Sequence, residues 1–248
     1  MEIIFVSKMD TDLVIFIIIL LILYIISMIK RFTAFDSPSQ IKYIYPDEMN
    51  TGDLVCVSYN NFATEFVGTF TNSVWVHLGM IWVDPFTNIR YVLEGAMYGG
   101  KHYKNFFAIP IETWMMINRN NLMAWKKYSG PEIDPIHMIN AFAPFIKLSK
   151  LEGLNVSWGR FLLNRKFSDH KHLRKYTCFE AIVILGQEIG IFDKEKLYSS
   201  YFPSDLVNGK IKLCENVSYT EKIQIRMTDY YRKFLFLDTI QFPEFWKK

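Results

Sequence analysis

Several features that mark large classes of proteins are scarce or missing in this sequence. Only three cysteines occur among 248 residues, and their wide spacing matches neither a zinc-ligand pattern nor a disulfide framework. The net charge is +3 and no dense run of Lys and Arg occurs, so nucleic-acid binding is not indicated. No internal repeat is present. The scarcity of cysteine favours a reducing compartment. We predict no metal ion, no cofactor and no nucleic-acid partner.

Apolar and aromatic residues are abundant. Hydrophobic residues make up 50% of the chain and aromatic residues 17%, which is enough for a sizeable core in one domain plus extra segments. Short runs of β-branched and aromatic residues precede longer stretches of helical periodicity, and this order predicts an α+β fold with a small antiparallel sheet packed on helices. The predicted strands are 54–59, 74–83, 89–94, 106–111, 123–128 and 223–227, and the predicted helices are 135–151 and 177–189.

An uncharged apolar run from Leu13 to Ile29 dominates the N-terminal region. As a helix it spans about 25 Å, and we interpret it as the transmembrane helix of a single-pass membrane protein. A buried core helix is the alternative. Acidic residues precede the run and Lys30 and Arg31 follow it, so the positive-inside tendency predicts a cytosolic C-terminal domain. The lipid bilayer is therefore an expected partner, contacted through residues 13–29.

These signals divide the chain into four parts. We predict an N-terminal extension at 1–12, a transmembrane helix at 13–31 and a polar, turn-rich tether at 32–50. A globular domain is predicted at 51–248. Within it, 99–170 has the weakest sequence signals.

Three polar residues stand out because each lies in an apolar setting. His77 lies inside a predicted strand, Glu94 ends the next strand, and Cys178 stands at the predicted start of an apolar helix. A helix N-terminus or a nearby imidazolium favours the thiolate, which is the nucleophilic form of cysteine. Each residue also has an ordinary structural explanation: a core histidine bonded to a backbone carbonyl, an exposed strand-end carboxylate, and a small buried thiol.

The hairpin formed by the second and third predicted strands decides whether the histidine and the carboxylate meet. If Val83 pairs with Asn88, His77 lies opposite Glu94 on one face of the sheet. If Val83 pairs with Ile89, Glu94 faces away from His77. The sequence leaves both registers open.

Five short segments of the chain together form a recognisable pattern: 51–55, 73–80, 92–95, 176–180 and 202–206. This pattern resembles a known family, the permuted NlpC/P60 papain-like cysteine hydrolases. The nearest group is the YiiX/YaeF-like branch, which includes poxviral members. The resemblance implies a permuted papain-like fold in which Cys178 is the nucleophile, His77 the base and Glu94 the group that orients the base. It also implies an oxyanion donor at the Cys178 backbone N–H. Phe179 stands where the family usually has serine, and we expect it to narrow the entrance.

The function implied by this resemblance is that of a membrane-anchored thiol hydrolase. It would cleave an amide or thioester bond in a peptide-, amide- or acyl-containing substrate that the sequence does not identify. Two alternatives stay open. One is a catalytically inactive scaffold or binding protein on a membrane, including a viral membrane. The other is a lipid acyltransferase or phospholipase, which ranks lower because the Asn-Cys-Glu-His box of lipid-acting relatives is absent.

Overall fold

The centre of the fold is a sheet whose strands turn alternate side chains into two apolar layers. The computed structural model describes residues 3–33, 41–44, 46–59, 74–98, 103–152, 178–195, 201, 203–207 and 209–227. The strands are β1 (Ile41–Ile44), β2 (Leu54–Ser58), β3 (His77–Val83), β4 (Arg90–Tyr98), β5 (Tyr103–Pro110), β6 (Leu122–Lys126), β7 (Tyr128–Ser129), β8 (Ser218–Tyr219) and β9 (Ile223–Met227). The helices are α1 (Ile3–Thr33), α2 (Ile111–Ile117), α3 (Pro135–Glu152), α4 (Cys178–Glu188) and α5 (Pro203–Val207), with a short 3₁₀ turn at Pro46–Glu48.

The main sheet has seven strands in the order β1-β9-β6-β2-β3-β4-β5. Its neighbouring strands are antiparallel except for β1, which runs parallel to β9. The predicted α+β class with an antiparallel sheet is therefore confirmed, although the sheet is larger than expected. Strand β1 lies within 32–50, the segment predicted to be a tether. The stretch 99–170 supplies β5, α2, β6, β7 and α3.

Helices cover the two faces of this sheet unequally. On one side, which we call the α3/α4 face, residues such as Leu78, Met80 and Leu93 form a core with helices α3 and α4. On the other side, the α2 face, residues such as Ile81 and Val92 pack against helix α2. Successive side chains of a strand point to opposite faces, and the residues of β3 from Leu78 to Val83 are apolar without a break, which explains why both faces are buried.

Helix α3 begins at a well-defined cap. The Asp134 side chain accepts a hydrogen bond from the backbone N–H of Ile136 at 2.8 Å, and Pro135 occupies the first helical position. The indole of Trp82 donates to the carbonyl of Pro135 at 2.8 Å, which fixes this helix end against β3.

The predicted transmembrane helix at 13–29 is wrong. Within the described parts of the chain, no helix combines the length and the apolar character that crossing a bilayer demands. The uncharged stretch of α1 ends at Asp12 and Lys30. It corresponds to about 25 Å of helix, against a hydrocarbon core of about 30 Å. The predicted single-pass membrane localisation with a cytosolic domain is wrong for the same reason.

A buried carboxylate, that of Asp53, ties the start of β2 to its neighbours. It accepts hydrogen bonds from the backbone N–H of Asn50 at 2.9 Å, the indole of Trp125 at 2.8 Å and the backbone N–H of Tyr128 at 2.7 Å. Burial raises the pKa of Asp53, and these three bonds oppose that rise because they stabilise the charged form. Asp53 is therefore a structural anchor within the segment 51–55.

We expect Asp53→Ala to lower the free energy of unfolding by about 3 kcal/mol or more, because the buried indole N–H of Trp125 and two partly buried backbone N–H groups lose their acceptor. Urea unfolding followed by tryptophan fluorescence measures this loss. Asp134→Ala is the control, since it removes an exposed helix cap and should cost only about 1 kcal/mol. A loss at position 53 no greater than at position 134 would contradict the anchoring role.

Candidate active site

The turn between β3 and β4 sets the register of the hairpin that carries the predicted histidine and carboxylate. Asp84 organises it: its side chain accepts hydrogen bonds from the Phe86 N–H at 3.0 Å and the Thr87 hydroxyl at 2.6 Å. Asn88 has a φ of 58°, a left-handed conformation that asparagine tolerates. As a result Val83 pairs with Arg90. This is neither of the two registers that the sequence left open.

The observed register still puts His77 and Glu94 on one face. Met80 pairs with Leu93. Continuing that ladder sets Glu94 opposite Gly79, so the histidine lies two residues further along the same side. Both side chains belong to the α2 face. The Val92 side chain fills the space over Gly79, because a Cβ added to Gly79 would lie only 2.4 Å from Val92 Cγ1.

The histidine and the carboxylate form a buried pair. His77 Nε2 lies 2.5 Å from Glu94 Oε2, and the indole N–H of Trp114 donates to the same oxygen at 2.8 Å. His77 is 6% exposed, while Glu94 and Trp114 are 0% exposed. Since a carboxylate only accepts hydrogen bonds, the proton of this contact lies on Nε2. In the neutral ring the carboxylate therefore selects this tautomer, and Nδ1 is then the basic nitrogen.

This geometry replaces two of the structural explanations that the sequence left open. Glu94 is a buried residue, and not an exposed carboxylate at a strand end. His77 is bonded to a carboxylate, where a core histidine was expected to bond a backbone carbonyl. The ring of Tyr59, half-buried just beyond β2, lies 5.7 Å from the His77 ring and is tilted by 42°.

Trp114 and Tyr59 were not identified from the sequence. Trp114 lies on α2, a short helix that the sequence did not predict, although its apolar residues Ile111, Trp114 and Met115 have helical spacing. Tyr59 is the last residue of the predicted strand 54–59 and comes directly after β2 in the structure, without any local sign of a role. The hydrogen bond from Trp114 depends on how a helix packs across a sheet, which sequence periodicity does not report.

Helix α4 begins at Cys178, and the sequence predicted that this cysteine stands at the start of a helix. Thr177 and the Cys178 side chain lie outside the described residues. The following residue, Phe179, is 4% exposed and belongs to the core of the α3/α4 face. The expectation that it narrows an entrance is therefore wrong, since the ring packs inward with the other apolar residues of the helix.

Helix α4 and the His77–Glu94 pair lie on opposite faces of the sheet. Helix α4 packs on β3 and β4 through the α3/α4 face, whereas His77 and Glu94 belong to the α2 face. His77 is, however, the first residue of β3 and lies at the end of the strand. A thiol at the start of α4 can therefore meet the imidazole only around this end of the sheet.

The other two cysteines have different surroundings. Cys56 is fully buried in the α3/α4 core, and burial raises the pKa of its thiol to about 12. Cys214 is only partly buried. Among the residues that the structure describes, no group of three or more His, Cys, Asp or Glu side chains is arranged to hold a metal ion.

Comparison with known proteins gives a weak structural likeness. No protein-family model matches the sequence, and no curated protein matches it. Among solved structures, the chain is similar to the metalloprotein YiiX from Escherichia coli O157:H7, described as DUF1105. The two share 14% identity and a TM-score of 0.39, over 70% of this chain and 97% of that one. YiiX belongs to the branch that the sequence segments resemble, but similarity this low does not assign the chain to a family.

We expect Glu94→Ala to lower the free energy of unfolding by about 3 kcal/mol, because two buried donors lose their shared acceptor. Glu94→Gln should cost only about 1 kcal/mol, since an amide oxygen can replace Oε2 as the acceptor of both bonds. Urea unfolding at pH 7 compares the two variants. Equal losses would mean that the charge of Glu94, and not its hydrogen bonds, holds this cluster together.

Proposed function

We propose that this chain is a papain-like thiol hydrolase that cleaves an amide or thioester bond. The observation that carries the proposal is the buried His77–Glu94 contact of 2.5 Å, which leaves Nδ1 as the basic nitrogen. Two further observations support it. Cys178 begins an 11-residue helix, and that helix packs on the two strands that carry His77 and Glu94.

In the proposed reaction His77 Nδ1 takes the proton of the Cys178 thiol. The sulfur then adds to the carbonyl carbon of the substrate, and the bond to the amine or thiol leaving group breaks as His77 returns the proton to that group. Water then adds to the acyl carbon while His77 accepts its proton. The acyl–sulfur bond breaks and His77 returns that proton to the sulfur, so the products are a carboxylic acid and the free thiol. The backbone N–H of Cys178 is proposed to stabilise the oxyanion at the start of α4.

A second candidate function is a non-catalytic scaffold or binding protein. The packing of α4 on the face opposite to His77 and Glu94 favours it. In that case the histidine, the carboxylate and Trp114 are a buried polar cluster that stabilises the fold. The two candidates differ in one measurable property, which is whether the Cys178 thiol is coupled to His77.

Alkylation of the folded full-length chain with iodoacetamide, mapped by mass spectrometry, measures that coupling. We expect Cys178 to react readily at pH 6, where an uncoupled thiol is mostly protonated, because an imidazolium stabilises the thiolate. His77→Ala should slow this reaction at pH 6 at least tenfold and restore an ordinary dependence on alkaline pH.

Cys56 and Cys214 are internal controls for the same experiment. Cys56 should stay unmodified in the folded protein, since it is buried and burial raises the pKa of its thiol to about 12. Cys214 is partly exposed and is the accessible reference thiol. If Cys178 is alkylated at the same rate as Cys214, and if His77→Ala does not change that rate, the result would favour the scaffold.

Turnover tests the chemistry itself. Incubating the full-length chain with chromogenic peptide amides, acyl thioesters and acyl lipids should reveal hydrolysis of at least one class. Cys178→Ala should abolish it, and His77→Ala should lower kcat by about 10²-fold to 10⁴-fold. Activity that survives Cys178→Ala would exclude this thiol as the nucleophile.

A further inference from the structure

The Glu94 carboxylate is held from two directions, and only one of its partners is a residue of the proposed triad. Oxygen Oε2 accepts both the His77 ring N–H and the Trp114 indole N–H, at 2.5 and 2.8 Å. Two donors that converge on one oxygen fix its position more tightly than either donor alone. Removing the indole donor takes away one of the two hydrogen bonds described for this oxygen, which loosens rotation about the last side-chain bond of Glu94.

The backbone around Trp114 has little freedom. Helix α2 follows β5 without a loop, since the strand ends at Pro110 and the helix begins at Ile111. Strand β5 is itself paired with β4, where Glu94 lies opposite Phe107. At the other end of the helix, the Asn118 side chain donates to the Trp114 carbonyl at 2.9 Å. Helix α2 is thus joined directly to β5, the strand that pairs with the strand of Glu94, and this connection holds the indole against Glu94.

From this geometry we propose that Trp114 is a positioning residue, which holds the Glu94 carboxylate on His77 Nε2 and so keeps Nδ1 available as the base. The inference rests on the proposed function and adds to it a fourth residue that does not touch the substrate. Its physical basis is preorganisation: a base that is fixed in one tautomer and orientation needs no rearrangement before it takes a proton.

The same core offers a matched control. Trp125 is also a buried indole of the α2 face, and it donates to a buried carboxylate, that of Asp53, at the same distance of 2.8 Å. Removing its N–H therefore costs a comparable hydrogen bond in a comparable environment. The difference between the two sites is that Asp53 is bonded to the backbone, whereas Glu94 is bonded to His77.

The test compares the indole substitutions in the full-length protein labelled with ¹⁵N-histidine. The ¹⁵N spectra are recorded at alkaline pH in a Cys178→Ala background, so that no thiol proton can pass to Nδ1 and turn the ring into an imidazolium. The ¹⁵N chemical shifts of the ring nitrogens then report which one carries the proton, and His77→Ala identifies the signals of this residue among the five histidines. The variants are Trp114→Phe and Trp125→Phe. Trp114 is also replaced by 3-benzothienylalanine, which keeps the bicyclic shape and has sulfur in place of the N–H.

We expect both changes at Trp114 to convert the single Nε2–H tautomer of His77 into a mixture, and to slow alkylation of Cys178 at pH 6 about tenfold. Trp125→Phe should leave the tautomer of His77 unchanged and the alkylation rate of Cys178 within twofold of wild type. The benzothienyl variant keeps the packing, so its effect isolates the N–H even if Trp114→Phe fails to fold. A benzothienyl variant that matches wild type in the tautomer would overturn the proposal, because Trp114 would then act through packing alone.

The two readouts separate this inference from the proposed function. If the tautomer of His77 responds to Trp114 while Cys178 reacts like an ordinary thiol, the positioning of His77 stands and the hydrolase proposal fails. If Cys178 is activated through His77 but neither readout responds to the benzothienyl variant, the hydrolase proposal stands and the role of Trp114 fails.

Discussion

Burial of the Glu94 carboxylate is the constraint on which the proposed site depends. A carboxylate removed from water is stable only when donors surround it, and here a histidine and an indole converge on one oxygen. These donors come from β3 and α2, while the carboxylate comes from β4. The need to satisfy one charge thus links three elements and fixes the orientation of the imidazole.

A buried carboxylate that accepts an indole N–H occurs twice on the α2 face. Asp53 is buried at the start of β2 and receives the indole N–H of Trp125, just as Glu94 receives that of Trp114. Around Asp53 the remaining donors are backbone N–H groups, so that carboxylate stabilises the connection between strands. Around Glu94 the second donor described for Oε2 is a histidine, whose other ring nitrogen can exchange a proton. This difference in partners separates a structural carboxylate from one with a proposed role in chemistry.

The arrangement of the layers also constrains how the site can be completed. Helix α4 and the His77–Glu94 pair belong to opposite faces of the sheet, yet His77 lies at the very start of β3. A catalytic Cys178 must therefore operate at the end of the sheet, where the two faces meet. The same arrangement is what a purely structural cluster would have, which is why the coupling of the thiol to His77 is the decisive property.

The sequence by itself determined the local structure and the identity of the polar residues. Apolar periodicity predicted strand 223–227 and a helix close to α3, and the start of α4 at Cys178 was anticipated from the apolar run that follows. It failed for the run at 13–29, where composition was mistaken for a transmembrane span. The tertiary structure alone decided the register that joins His77 to Glu94, because the Asp84 turn sets it. It also decided the contact from Trp114, since hydrogen bonds between a helix and a strand depend on packing across the sheet, which leaves no mark in the local order of residues.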